Sequence, residues 1–263
     1  MNKLYYEEFI GEHNASKSTE IFKEDLKQSE TKSEILLTAY SFVLLSKTGL
    51  LNKFIKKQIL NEKNNDITES DFIFNKKIVG GCSDELHNLI VKNNIFQLDS
   101  KIRNRNQIRK FNTEFDVVIF LKTVKKKITV IIESKYLSDI SIGTTNDQSL
   151  NQLARNLDQV YQLIKRNEDV YFVLLTPRIF KEDKRGKFSR LYGYKFLEYS
   201  SDISAITRDL AYLTKHELLM KIQEALKWIT FEDIIEFIEN NSEKKLNGNL
   251  EKVNIWIKNR LNL

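Results

Sequence analysis

Two short runs rich in β-branched and aromatic residues, 115–121 (FDVVIFL) and 128–134 (ITVIIES), constrain this chain most. Each is apolar at almost every position, which suits strands buried on both faces. The basic turn 122–127 joins them as a hairpin. Downstream, Leu150, Leu153, Leu157, Val160, Tyr161 and Ile164 fall on one stripe of a 3.6-residue period. That spacing predicts a helix from Gln148 to about Arg166. Residues 170–175 (VYFVLL) are another buried run, stopped by Thr176 and Pro177, the one proline. A strand, a long helix and a further strand imply a right-handed crossover with parallel pairing. Together these segments predict an α/β fold.

The remaining segments fit around this centre. Thr31 with Glu34 makes a capping-box pattern before the apolar run 35–45, which predicts a buried helix. Residues 50–60 read as a second helix and 61–70 as a polar loop. Ser83 can cap a helix from Asp84 to about Asn93; 95–103 and 191–199 read as strands. The C-terminal part reads as helical, with capping patterns at Thr214/Glu217 and Thr230/Asp233. The 263 residues then divide into a helical N-terminal lobe (1–75), a core (76–200) and a helical extension packed on it (201–263).

Chemistry concentrates at one end of the hairpin. Glu133 and Lys135 are two apart and share a face on a strand. A symmetric hairpin centred between Val124 and Lys125 puts Asp116 beside Glu133. Two carboxylates and a lysine are costly to bury at the end of an apolar sheet without a partner. A divalent cation supplies one, and would polarise a phosphate and acidify a water.

With Asp116, Glu133, Ser134 and Lys135 in this order, the sequence resembles the PD-(D/E)xK nuclease superfamily over roughly residues 80–177. The proline before the first acid is absent, since Asn112, Thr113, Glu114 and Phe115 precede Asp116. The resemblance implies a restriction-endonuclease-like mixed central sheet flanked by helices, with helical additions at both ends. It implies Mg²⁺-dependent hydrolysis of DNA, with Mn²⁺ as a substitute. Water attacks phosphorus in line and leaves a 5′-phosphate and a 3′-hydroxyl. Asp116 and Glu133 hold the metal and Lys135 positions the water. An acid on the first core helix often completes such sites. Glu85 is the closest match; Glu34 is more remote, and its capping role accounts for it. Gln148, Gln152, Arg155 and Gln159 form a polar stripe similar to that of bacterial defence nucleases. Gln152 and Arg155 would contact the scissile phosphate or buttress Lys135. A type II restriction endonuclease or related defence nuclease follows. A repair or junction-resolving nuclease and a non-catalytic nucleic-acid-binding module of the same fold remain the alternatives.

Charge and composition agree with such a partner. Lys plus Arg total 42 against 36 acids, a net charge of +6 that suits double-stranded DNA. Lys101, Arg103, Arg105, Arg109 and Lys110 precede the Asp116 strand, and Lys181, Lys184, Arg185, Lys187 and Arg190 form a second basic segment. Both are candidates for a DNA groove, whereas Lys122, Lys125, Lys126 and Lys127 read as a solvated turn. A single Cys82 and three scattered histidines exclude a cysteine cage and leave carboxylates, hence a hard ion. Phosphate-loop, dinucleotide and zinc-protease motifs are absent, which argues against a nucleotide cofactor. The N-terminus shows no export signal and the uncharged stretch 35–46 is too short for a bilayer, so a cytoplasmic, non-membrane protein is expected. A symmetric site cut on both strands favours a homodimer.

Overall fold

The computed structural model describes residues 34–61, 67–78, 83–86, 113–124, 126–141, 150–183, 187, 189–242, 246 and 248–262. The apolar run at 35–45 forms α1 (Glu34–Lys47), buried from Leu36 to Leu45. Gly49, at φ +70°, ends this helix. The Leu50 N–H returns to the Leu45 carbonyl and the Gly49 N–H to that of Ser46, both at 2.9 Å, a Schellman closure that needs the left-handed region. α2 (Leu51–Ile55) runs into one π-helical turn at Lys56–Leu60. Among the described residues, β1 (Ile67–Lys77), β2 (Glu114–Thr123), β3 (Lys127–Ser134), β4 (Asp169–Thr176) and β5 (Leu226–Thr230) form one sheet in that spatial order. α3 (Gln152–Lys165) connects β3 to β4. In sequence, α4 (Arg178–Glu182), α5 (Leu191–Ser201), α6 (Ile203–Asp209) and α7 (His216–Ala225) precede β5, and α8 (Phe231–Asn241) and α9 (Gly248–Leu261) follow it.

β1, β2 and β3 pair antiparallel, whereas β3 with β4 and β4 with β5 pair parallel. The result is an α/β fold with a mixed sheet between two helical layers. Val117, Ile119, Val130 and Ile132 pack in the core that holds α1, α8 and α9. Val118, Ile131, Phe172 and Leu174 pack in the core that holds α3, α5 and α7. Cover on both faces buries β3 from Ile128 to Ser134, which is why its sequence is continuously apolar rather than alternating. Burying each such side chain contributes about 1.5–3 kcal/mol. The strands that carry the acids are therefore fixed by the core, independently of the site.

The hairpin takes the expected symmetric register, with Val117 opposite Ile132 through to Lys122 opposite Lys127. The helix expected from Gln148 begins at Gln152, with Asn151 as its cap: the Ala154 N–H donates to Asn151 Oδ1 at 3.0 Å. Thr230 and Asp233 form both bonds of a capping box. No side-chain bond caps the start of α7, so the Thr214/Glu217 pattern does not act as a cap.

Other expectations are corrected. Residues 67–70 belong to β1 rather than to a loop, and the expected boundary at 75 falls inside that strand. The strand expected at 191–199 is α5. Its buried Tyr192, Phe196 and Tyr199 recur at spacings of four and three, a helical period, and Asp139 from a distant loop caps its first turn. Gly193 is required there because a Cβ would lie 2.4 Å from the Lys187 carbonyl oxygen. The C-terminal part is not purely helical, since β5 completes the sheet. The expected strand at 95–103 lies outside the described residues, and the helix from Asp84 is described only to Leu86. No single helix among the described residues is long and apolar enough to cross a membrane.

Candidate active site

The β2–β3 register ends at Val117 opposite Ile132, which leaves Asp116 and Glu133 just beyond it, at the end of the sheet where β2 begins and β3 ends. Asp116 is half-buried. Its Oδ2 accepts the Ser134 N–H at 2.7 Å and the Ser134 hydroxyl at 3.0 Å. The Thr38 hydroxyl donates in turn to Ser134 Oγ at 2.7 Å, which links α1 to both strands. Glu133 is held from α3. Gln152 donates to its Oε1 at 2.6 Å and Asn156 to its Oε2 at 3.2 Å. Gln152 and Asn156 are one turn apart on α3, whose start is held by the Asn151 cap.

Lys135 lies just past β3, with its N–H bonded to the Leu175 carbonyl of β4 at 2.9 Å. Its ammonium sits 2.8 Å from Glu133 Oε1 and 3.5 Å from Glu34 Oε1. Glu34 Oε2 accepts the Tyr136 N–H and the Ser138 hydroxyl, both at 2.6 Å. Three acids from α1, β2 and β3 thus surround one lysine at a single strand end.

Burial sets the electrostatics. Burial first, and then the Glu133 charge, push the Asp116 carboxyl up to about 8. Burial also raises Glu133, against the opposing pull of Lys135. Burial works against the Lys135 ammonium too, but the charges of Glu133, Glu34 and Asp116 outweigh it and hold its pKa above the ordinary lysine value. Lys135 is therefore a cation at neutral pH, suited to orienting a water or meeting an anion rather than to taking up a proton.

The structure brings Asp116, Glu133, Lys135 and Gln152 together as expected. Arg155 turns instead to Ser141 Oγ at 3.0 Å, on the exposed side of α3. Glu85 does not reach the site. It pairs with Lys165 at 2.7 Å, at the far end of α3. At 1.5 Å per residue that end is about 20 Å from Gln152. The cause is Asp158, which accepts the Ser83 N–H at 3.0 Å and its hydroxyl, and so docks this segment beyond the first turns of α3. The helix acid at the site is Glu34, and its carboxylate is engaged by Lys135, Tyr136 and Ser138; Thr31, its expected capping partner, lies outside the described residues. Arg103, Arg105, Arg109, Lys184, Arg185 and Gln148 lie outside the described residues. Lys187 is described, with its N–H on the Asp183 carbonyl at 2.7 Å. Lys181 is bound to the Trp228 carbonyl at 2.6 Å. Sequence reasoning missed Asn156, whose signal was its i,i+4 relation to Gln152.

Among the described residues, no three His, Cys, Asp or Glu side chains gather as a ready metal cage. Mg²⁺ does not require one. It keeps several waters and binds through one or two carboxylates together with substrate phosphates. Asp116 and Glu133, both raised chiefly by burial, are carboxylates whose charge a cation would stabilise. The residues present fit such an ion.

The sequence matches no protein-family model and no curated protein. Among solved structures it is similar to the Acinetobacter baumannii Cap4 SAVED/CARF-domain containing receptor with two cyclic trinucleotides, 3′3′3′-cAAA and 2′3′3′-cAAA. Identities are 12% and 13%, TM-scores 0.29 and 0.28, over 57% of this chain and 36% and 33% of the receptor chains. The present chain thus spans about a third of those chains, and a likeness at this level assigns it neither ligand nor activity.

Proposed function

We propose that this protein is a Mg²⁺-dependent endonuclease that hydrolyses DNA phosphodiester bonds, a restriction-endonuclease-like enzyme of the PD-(D/E)xK type. The observation that carries this reading is the meeting of Asp116, Glu133 and Lys135 at one strand end, held there by Ser134, Gln152 and Asn156. Asp116 and Glu133 would hold the ion, with Mn²⁺ as a substitute. When bound, Mg²⁺ supplies charge neutralisation at the phosphate and a water acidic enough to attack it. Lys135, kept charged by its acidic neighbours, orients that water and offers a proton donor to a phosphate oxygen. Gln152 and Asn156 fix the Glu133 carboxylate, and the Ser134 N–H fixes that of Asp116. Glu34 fixes Lys135 from the opposite side. On this reading the protein is a type II restriction or related defence nuclease that acts on double-stranded DNA in the cytoplasm, as a homodimer where the target is symmetric.

Incubation of mixed plasmid and phage DNA with the protein, in Mg²⁺ and in excess EDTA, tests this. Cleavage confined to Mg²⁺ is expected. Discrete bands would mark a restriction enzyme and a smear a non-specific nuclease. Retained binding without cleavage would overturn the reading in favour of a binding module.

A further inference from the structure

We infer that Asp209 and Tyr199 are positioning residues for Glu133: through the Asn151 side chain they set where α3 begins, and so where Gln152 meets that carboxylate. As a role in cleavage, this rests on the nuclease reading above. Asn151, the cap of α3, is buried and has both ends of its amide engaged. Its Oδ1 accepts the Ala154 N–H at 3.0 Å, the capping bond. Its Nδ2 donates to the Tyr199 hydroxyl at 2.9 Å and lies 3.4 Å from Asp209 Oδ2. A cap alone would be served as well by Asp or Ser. The amide adds a separate donor group, and here that group is bound by α5 and α6.

The far side of this contact is itself anchored. Tyr199, on α5, is buried, and its hydroxyl donates to Asp209 Oδ2 at 2.5 Å. Asp209, at the end of α6, is held in turn by Lys195 at 3.0 Å and by Arg208 at 3.2 Å. Glu198 pairs with the same two cations at 3.2 and 2.8 Å. Burial opposes the Asp209 charge, but the bonds from Tyr199, Lys195 and Arg208 outweigh it and hold its pKa below the ordinary value. An ionised acceptor makes the Tyr199 bond stronger than a neutral one would be. On the near side, Asn151 directly precedes Gln152, which reaches Glu133 Oε1 at 2.6 Å. Three hydrogen bonds and one peptide link thus run from Asp209 to Glu133. A second tie, the Gln152 N–H on the Ser141 carbonyl at 3.0 Å, comes from the loop after Lys135. Hydrogen bonds weaken with distance and angle, so a small shift in the start of α3 is felt at Glu133.

Tyr199→Phe keeps the ring and removes the hydroxyl, while Asn151→Ser keeps a helix cap and removes the amide donor. Crystal structures of wild type and Tyr199→Phe test the inference, together with cleavage kinetics for wild type, both variants, Gln152→Ala and the double variant Tyr199→Phe with Gln152→Ala. In Tyr199→Phe, Gln152 should leave hydrogen-bond distance of Glu133. With KM unchanged, kcat should fall about 10-fold in Tyr199→Phe and in Asn151→Ser, as for outer partners of metal-site ligands. In the Gln152→Ala background, Tyr199→Phe should cost no more than about 2-fold, because the path to Glu133 is already cut. A Gln152–Glu133 bond retained in Tyr199→Phe, an unchanged kcat, or an equal fold loss in both backgrounds would overturn the inference, the last by showing a merely structural role. A wild type that cleaves no DNA would overturn the nuclease reading instead, while the Gln152–Glu133 distance in the two crystals still decides the role of Tyr199.

Discussion

The two ends of the β2–β3 region carry the same kind of contact in opposite surroundings. At the turn end, Lys122 lies 2.8 Å from Glu69 of β1, with side chains 53% and 67% exposed. At the other end, Lys135 lies 2.8 Å from Glu133, with side chains 8% and 2% exposed. Distance does not distinguish them; water does. The exposed pair is screened and hydrated and contributes at most about 1 kcal/mol. The buried pair has lost its hydration, a cost that well-packed apolar residues would avoid. Among the described residues, only at the buried end do further acids, Asp116 and Glu34, act on the lysine. A chain that keeps such a cluster at a sheet end gives up stability there, which is the mark expected of a working site.

The largest expected difference lies in stability. Lys135→Ala leaves buried acids unpaired and should cost about 3–5 kcal/mol in urea unfolding. A cost below about 1 kcal/mol would mean that the two pairs are equivalent.

The pH dependence of folding should also separate the two ends. Between the ordinary 3.8 and about 8, folded Asp116 holds a proton that the unfolded chain releases, and the raised Glu133 acts in the same direction. Stability from this group therefore falls as pH rises through that window. Asp116→Asn should flatten the slope. Mg²⁺, which favours the charged form, should raise the melting temperature more at about pH 8.5 than at about pH 6. A slope unaffected by Asp116→Asn would contradict the assignment.

Next come the two helix acids. Glu34→Gln should reduce cleavage about 10–100-fold, whereas Glu85→Gln should leave it within about 2-fold. Equal effects in kinetic assays would erase the distinction between them. The smallest effect is expected at the turn: Lys122→Ala should cost less than about 1 kcal/mol and less still in high salt.

Much of this was legible in the sequence. Hairpin symmetry alone put Asp116 beside Glu133, because apolar residues on both strands leave one register that buries them all. The apolar stripe of α3 and the parallel crossover were legible for the same reason. α5 was not: its cap, Asp139, is more than fifty residues away, so no local start signal precedes it. Glu34 was read as a capping residue because the same carboxylate suits a helix start and a long-range site. Its bonds to Lys135, Tyr136 and Ser138 depend on α1 packing against the end of β3, which no local pattern encodes. Glu85 looked the better acid because it sits on the expected first core helix, but the Asp158–Ser83 contact carries it to the wrong end of α3.

The central claim is that the buried lysine, and not its exposed counterpart, serves phosphodiester hydrolysis. Supercoiled plasmid in Mg²⁺, treated in parallel with wild type, Lys135→Ala and Lys122→Ala protein, tests it most directly. Wild type and Lys122→Ala should cut at the same rate and Lys135→Ala should not cut. An inert wild type, or a Lys135→Ala variant that cuts at the wild-type rate, would contradict the account.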